Sequence, residues 1–160
     1  HPLRVRGVIM KSFILIAIAA FALSGCANQF DAGNEAFARG DWKKAIFHFD
    51  HVAGTNANRS MAREMTAKAY FNWGKELYEA GKSRKAIDKL AQVKPEFAEY
   101  QEARELVSAC NFFMGKQAFD RHEWSEAIKY LNIVRTTSPS YKESRILAKK
   151  AHDELKKCQS

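Results

Sequence analysis

Proline, cysteine and long apolar runs are all scarce in this chain, and each scarcity excludes a class of structure. Only three prolines occur in 160 residues. Pro95 and Pro139 fall between segments of helical spacing, so no helical run is broken from within. Three cysteines are too few for a disulfide framework. The apolar run Phe13 to Ala22 (FILIAIAAFA) holds ten residues, and Leu23 extends it to eleven. That is short of the ~20 residues needed to cross about 30 Å of hydrocarbon as a helix. No stretch alternates apolar and polar residues in the manner of a strand. A Gly-rich phosphate loop, a G-x-S-x-G elbow and an H-E-x-x-H helix are absent too.

Charge is not concentrated either. The chain carries 26 Lys and Arg against 18 Asp and Glu, a net +8. Setting aside Arg4, Arg6 and Lys11 in the first 25 residues leaves +5. The remaining basic residues are spread out, with pairs at Lys43-Lys44, Arg84-Lys85, Lys149-Lys150 and Lys156-Lys157. Spread charge marks solvated helix faces. Nucleic acid is not an expected partner, because its footprint needs clustering on one face.

The N-terminal segment has a distinct logic. Met10-Lys11 gives a positive start, the apolar run has the length of a secretory h-region, and Leu23-Ser24-Gly25-Cys26 follows. This arrangement resembles the lipobox of bacterial lipoproteins. The resemblance implies cleavage before Cys26 and a covalent lipid on Cys26, with acyl chains such as palmitate; no other cofactor is expected. A buried N-terminal helix with an incidental cysteine is the alternative. Residues 1–9 (HPLRVRGVI) read as upstream sequence, residues 1–25 together as the leader, and residues 26–160 as one mature domain. Ala27 in place of Asp after Cys26 implies, by analogy with enteric lipoproteins, an outer-membrane position facing the periplasm.

The mature chain repeats with a period of 41 residues. Gly33, Gly74 and Gly115 form one series; Ala45-Ile46, Ala86-Ile87 and Ala127-Ile128 form another; Phe49, Leu90 and Leu131 form a third. Gly40 and Gly81 mark turns, and His122 occupies that place in the third copy. A period of 20–50 residues signals stacked units. Helical spacing over residues 96–120 and over Glu123 to Val134 makes each unit a pair of helices, and Tyr141 to Lys157 forms a final capping helix. The small residues let the paired helices approach closely.

The first copy, Gly33-Asn-Glu-Ala-Phe-Ala-Arg-Gly40-Asp-Trp-Lys-Lys-Ala45-Ile46-Phe-His-Phe49, resembles a tetratricopeptide repeat (TPR), and Gly115, Trp124, Ala127, Leu131 and Pro139 carry the likeness in the third. Ser83 and Ala98 depart from it in the second. The resemblance implies an all-α fold: a right-handed α-solenoid of three TPR-like hairpins with the capping helix. The usual period is about 34. Seven extra residues are close to two helical turns, so each first helix can lengthen without rotating its buried stripe.

The resemblance also implies a concave groove lined by the first helices, at positions three before, one after and four after the small residue. Here these are Phe30, Asn34 and Phe37; Phe71, Lys75 and Tyr78; and Phe112, Lys116 and Phe119. Two readings stand: the rings are core residues, as aromatics at helical spacing usually are, or they line the groove. In the groove reading Lys75 and Lys116 attract carboxylates of an acidic or C-terminal peptide. The expected function is a lipid-anchored, periplasmic protein-binding scaffold in envelope assembly or secretion; the alternative is a structural lipoprotein that self-associates.

An enzyme is not expected. His48, Asp50 and His51 lie close in sequence, but metal centres usually take three or four protein ligands and no further ligand is evident, so these histidines read as surface residues. Cys158 aligns one repeat after Gln117. Cys110 lies seven residues earlier in that register, about 10 Å along a helix, whereas bridged Cα atoms lie within about 7 Å. A Cys110–Cys158 disulfide is therefore not expected, and Cys110 is taken as a small core residue.

Overall fold

The computed structural model describes residues 29–54 and 56–158. Cys26 and the leader lie outside the described residues. Every regular element among the described residues is an α-helix: α1 (29–38), α2 (Trp42–Asp50), α3 (Asn56–Glu79), α4 (Ser83–Leu90), α5 (Tyr100–Asp120), α6 (Trp124–Asn132) and α7 (Tyr141–Lys157). The chain divides into two compact units, residues 1–66 and 67–160.

In the first unit, α1 and α2 form a hairpin. The Gly40 N–H donates to Phe37 O at 3.0 Å and the Asp41 N–H to Ala36 O at 2.9 Å. These two bonds cap the end of α1 in the Schellman pattern. Gly40 sits at φ +71°, a left-handed conformation that costs other L-residues roughly 1 kcal/mol or more. Asp41 then starts α2, its carboxylate accepting from the Lys44 N–H at 3.2 Å. The two helices meet at Gly33. A Cβ there would lie 2.5 Å from a ring carbon of Phe49, so only glycine permits the approach. Ala36, Ala45, Ile46, Phe49 and Val52 are buried in this unit.

The second unit uses the same construction twice. At the end of α3 the Gly81 N–H donates to Tyr78 O and the Lys82 N–H to Leu77 O. At the end of α5 the His122 N–H donates to Phe119 O and the Glu123 N–H to Ala118 O. Gly81 has φ +70° and His122 φ +61°. His122 is thus the one non-glycine among the described residues held in this region, with its ring 5.0 Å from that of Trp124. A Cβ on Gly74 would come within 2.5 Å of Leu90 Cγ, and one on Gly115 within 2.7 Å of Leu131 Cγ. Ala86 and Ala127 are fully buried. One core cluster gathers Phe71, Ala86, Leu90, Val93, Ala103 and Cys110; another gathers Ala118, Ala127, Leu131, Ala148 and Ala151. Helix α7 packs on both α6 and α5. Its Arg145 donates to Leu131 O and to Asn132 Oδ1, closing the end of α6.

The long first helices expected from the extended period are present in the second and third copies: α3 has 24 residues and α5 has 21, against 8 and 9 for α4 and α6. Two boundaries differ from the sequence reading. Residues 96–99 are turn, not helix, because Pro95 leads into a pair of short-range bonds, Phe97 N–H to Lys94 O and Tyr100 N–H to Phe97 O. Helix α6 ends at Asn132, and Val134 N–H turns back to Leu131 O. The buried valines Val52, Val93 and Val134 mark the same place after each short helix.

Cys110 is buried and Cys158 exposed, and both are free thiols. Burial pushes the Cys110 thiol up to about 11, and a hydrogen bond from Ser83 offsets part of that rise. Because the folded value is raised, the neutral thiol's contribution is complete below its ordinary value near 9 and is lost as pH rises from there to about 11. At pH 8, iodoacetamide is expected to alkylate Cys158 in the native protein and spare Cys110 until urea is added; equal native labelling would contradict the burial.

Gly81 gives a test of the turn without a steric clash, since a Cβ there meets nothing within 4 Å. Gly81→Ala is expected to lower unfolding stability by about 1 kcal/mol through backbone strain alone. Urea denaturation followed by circular dichroism measures it, and no change would refute the left-handed turn.

Candidate functional site

The face built from the first helices of the second unit carries a repeated charge pair. Lys75 Nζ on α3 lies 3.9 Å from Glu102 Oε1 on α5, and Lys116 Nζ on α5 lies 3.8 Å from Glu143 Oε1 on α7. Both members recur at the repeat spacing, so the same contact is made twice. The four side chains are 46–61% exposed, and exposed pairs of this kind stabilise by only about 0–1 kcal/mol. The two lysines therefore already face carboxylates of their own chain, held loosely enough for a competing anion to displace.

The rings between these lysines are largely turned to packing. Phe71 is 7% exposed and belongs to a core cluster, so it takes the core reading of the two available. Tyr78 is half-buried against the same cluster. Phe112 and Phe119 are half-buried against the second cluster, and Phe119 meets Trp124 edge-on at 5.3 Å. In the first unit, Phe30 meets Phe49 at 5.7 Å and Phe37 meets Trp42 at 5.1 Å, with Asn34 half-buried on the same helix. The rings brace their hairpins; the charged heads are what solvent meets.

The histidines do not converge. His48 Nδ1 is 2.7 Å from Gln29 Oε1, and His51 Nδ1 is 2.7 Å from Phe47 O. The Phe47 ring lies 4.3 Å from that of His51, and Asp50 accepts from Thr66 instead. Among the described residues no group of three or more His, Cys, Asp or Glu side chains is arranged to hold a metal. No helix among them is long and apolar enough to cross a membrane.

Folding assembles a basic cleft that the sequence reading had dispersed into solvated faces. Lys82, Arg84 and Lys85 at the start of α4 and Arg121 at the end of α5 line a cleft of about 590 Å³, in which these four cations outnumber two carboxylates, Glu123 and Glu126, with Met114 and Tyr130 among its other walls. Arg84 Nη2 donates to the Tyr130 hydroxyl at 3.1 Å, and Arg121 pairs with Glu123 at 3.3 Å. The corresponding starts of α2 and α6 carry acids, Asp41 at one and Glu123 and Glu126 at the other, whereas α4 has none in its first turn. Only the register, which brings Arg121 into one cleft with Arg84-Lys85, would have signalled this cluster from sequence.

No protein-family model, curated protein or solved structure matches the chain.

Proposed function

We propose that this protein is a lipid-anchored scaffold of the tetratricopeptide kind that holds a protein partner. In this reading residues 1–25 are removed, Cys26 carries the lipid, and the domain faces the periplasm from the outer membrane. The hairpins continue one another as a right-handed α-solenoid closed by α7. The reading assigns no catalytic step and no nucleic-acid partner.

One observation carries it: the same hairpin is built three times, with glycine against Phe49, Leu90 or Leu131 and a left-handed turn at residue 40, 81 or 122. Repetition of this kind produces binding surface, because each copy presents equivalent side chains to solvent. On the second unit those side chains are Lys75 and Lys116, together with the basic cleft at Lys82, Arg84, Lys85 and Arg121. An acidic partner segment fits both places. It would displace Glu102 and Glu143 from the two lysines at little cost and meet an excess of cations in the cleft. The alternative, a structural lipoprotein that binds its own copies, is separated by concentration-dependent mass.

The test is photocrosslinking in cells from a photoreactive residue at Gln117, an exposed wall of the basic cleft. A protein other than this chain is expected to be trapped. Lys82→Glu/Lys85→Glu or Lys75→Glu/Lys116→Glu should abolish the product with unchanged helicity. Products between copies alone would favour the structural alternative, and unaltered capture in both double variants would refute the acidic-partner reading.

A further inference from the structure

The hairpin nearest Cys26 differs from the two that follow it on the outer face of its short helix. Phe47 on α2 is 55% exposed. The residues one and two repeats later, Asp88 and Lys129, are charged. His51 is exposed as well, and Gln92 stands in its place one repeat on. The imidazole of His51 is fixed there, with Nδ1 2.7 Å from Phe47 O. The Phe47 ring centroid lies 4.3 Å from that of His51 and 5.5 Å from that of His48. The three rings form one small aromatic patch, and Phe47 keeps its exposure after those contacts are made.

This patch sits where the chain enters the hairpin. His48 Nδ1 is 2.7 Å from Oε1 of Gln29, the first described residue of α1. Gln29 is three residues after Cys26, so their Cα atoms lie at most about 11 Å apart. A lipid on Cys26 therefore brings the bilayer surface to the last turn of α2. Charge does not decide what covers the patch, since Lys43 and Lys44 are offset by Asp41 and Asp50. An exposed ring backed by an imidazole suits the boundary between headgroups and acyl chains, where apolar bodies and polar groups are both accommodated.

We infer that Phe47, backed by His51, inserts into the headgroup region of the bilayer beside the lipid of Cys26 and sets which face of the first unit meets the membrane. The inference rests on the lipid-anchor reading. One ring alone binds a bilayer weakly; the anchor makes the contact intramolecular and so raises its effective concentration. Because the contact is apolar, it forms on zwitterionic lipid and persists in high salt.

The test uses the full chain purified from membranes and reconstituted into phosphatidylcholine vesicles. Phe47 is replaced by the photoreactive benzoyl-phenylalanine, which keeps an apolar ring at an exposed position; Lys129, in the same register two repeats on, is replaced likewise as a control. Illumination is expected to give lipid adducts from position 47 and few or none from position 129. The mass of the N-terminal peptide is read on the same sample. An unmodified Cys26 would refute the anchor reading and this inference with it. A lipidated Cys26 with no lipid adduct at position 47, with equal adducts at both positions, or with adducts from position 47 only to protein, would overturn this inference alone. With the photoreactive residue placed at His51 instead, Phe47→Asp should lower the lipid adducts about tenfold at unchanged helicity; undiminished adducts would show that the tether alone brings lipid there and would equally overturn it.

Discussion

Close approach of two helices at a single glycine sets the geometry on which everything else in the molecule depends. At Gly33, Gly74 and Gly115 the space that a methyl group would need is already taken by Phe49, Leu90 and Leu131. Glycine in a helix interior costs about 1 kcal/mol of propensity, and here that cost is offset by burial of the large side chain opposite, 2% exposed or less in each copy. The buried alanines of the short helices bring the backbones together from the other side. With the contact in place, a three-point turn at residues 40, 81 and 122 is the shortest way to reverse the chain.

Once the hairpin is fixed by small residues, the differences between copies are free to carry function. The same turn leads into Asp41, Lys82 or Glu123, so of the three short helices only α4 begins without an acid. The same arginine position holds Arg104, which donates to the Tyr100 hydroxyl, or Arg145, which donates to Leu131 O and Asn132 Oδ1. The lysines of α3 and α5 are matched by glutamates two helices on, at α5 and α7. Such exposed pairs contribute little to stability, which leaves them available for exchange with a partner.

The all-α class, the hairpin register and the burial of Cys110 were legible in the sequence because small residues must recur wherever backbones touch. Gly74 and Leu90 announce each other at fixed spacing, and Gly115 and Leu131 repeat the statement. The turn at 96–99 was not legible, because its residues are good helix formers and only Pro95 and two short-range bonds decide against helix. The basic cleft and the Lys75–Glu102 pair were hidden for a different reason: their members come from separate helices, and local charge patterns cannot show which faces will meet. The aromatic ladder was visible as a pattern but undecided in direction; packing settles Phe71 inward, while the others stand half-buried.

The most direct measurement of the central contact is a double-mutant cycle on Gly115 and Leu131, read by urea denaturation. Gly115→Ala alone is expected to destabilise by about 1–3 kcal/mol, since the added methyl meets both the Leu131 side chain and its backbone nitrogen at 3.1 Å. In a Leu131→Ala background the side-chain clash is gone and alanine's better helix propensity remains, so the same substitution should cost much less or stabilise, a coupling of about 2 kcal/mol. Additivity within about 0.5 kcal/mol would contradict the account, because it would mean that the two helices do not touch there.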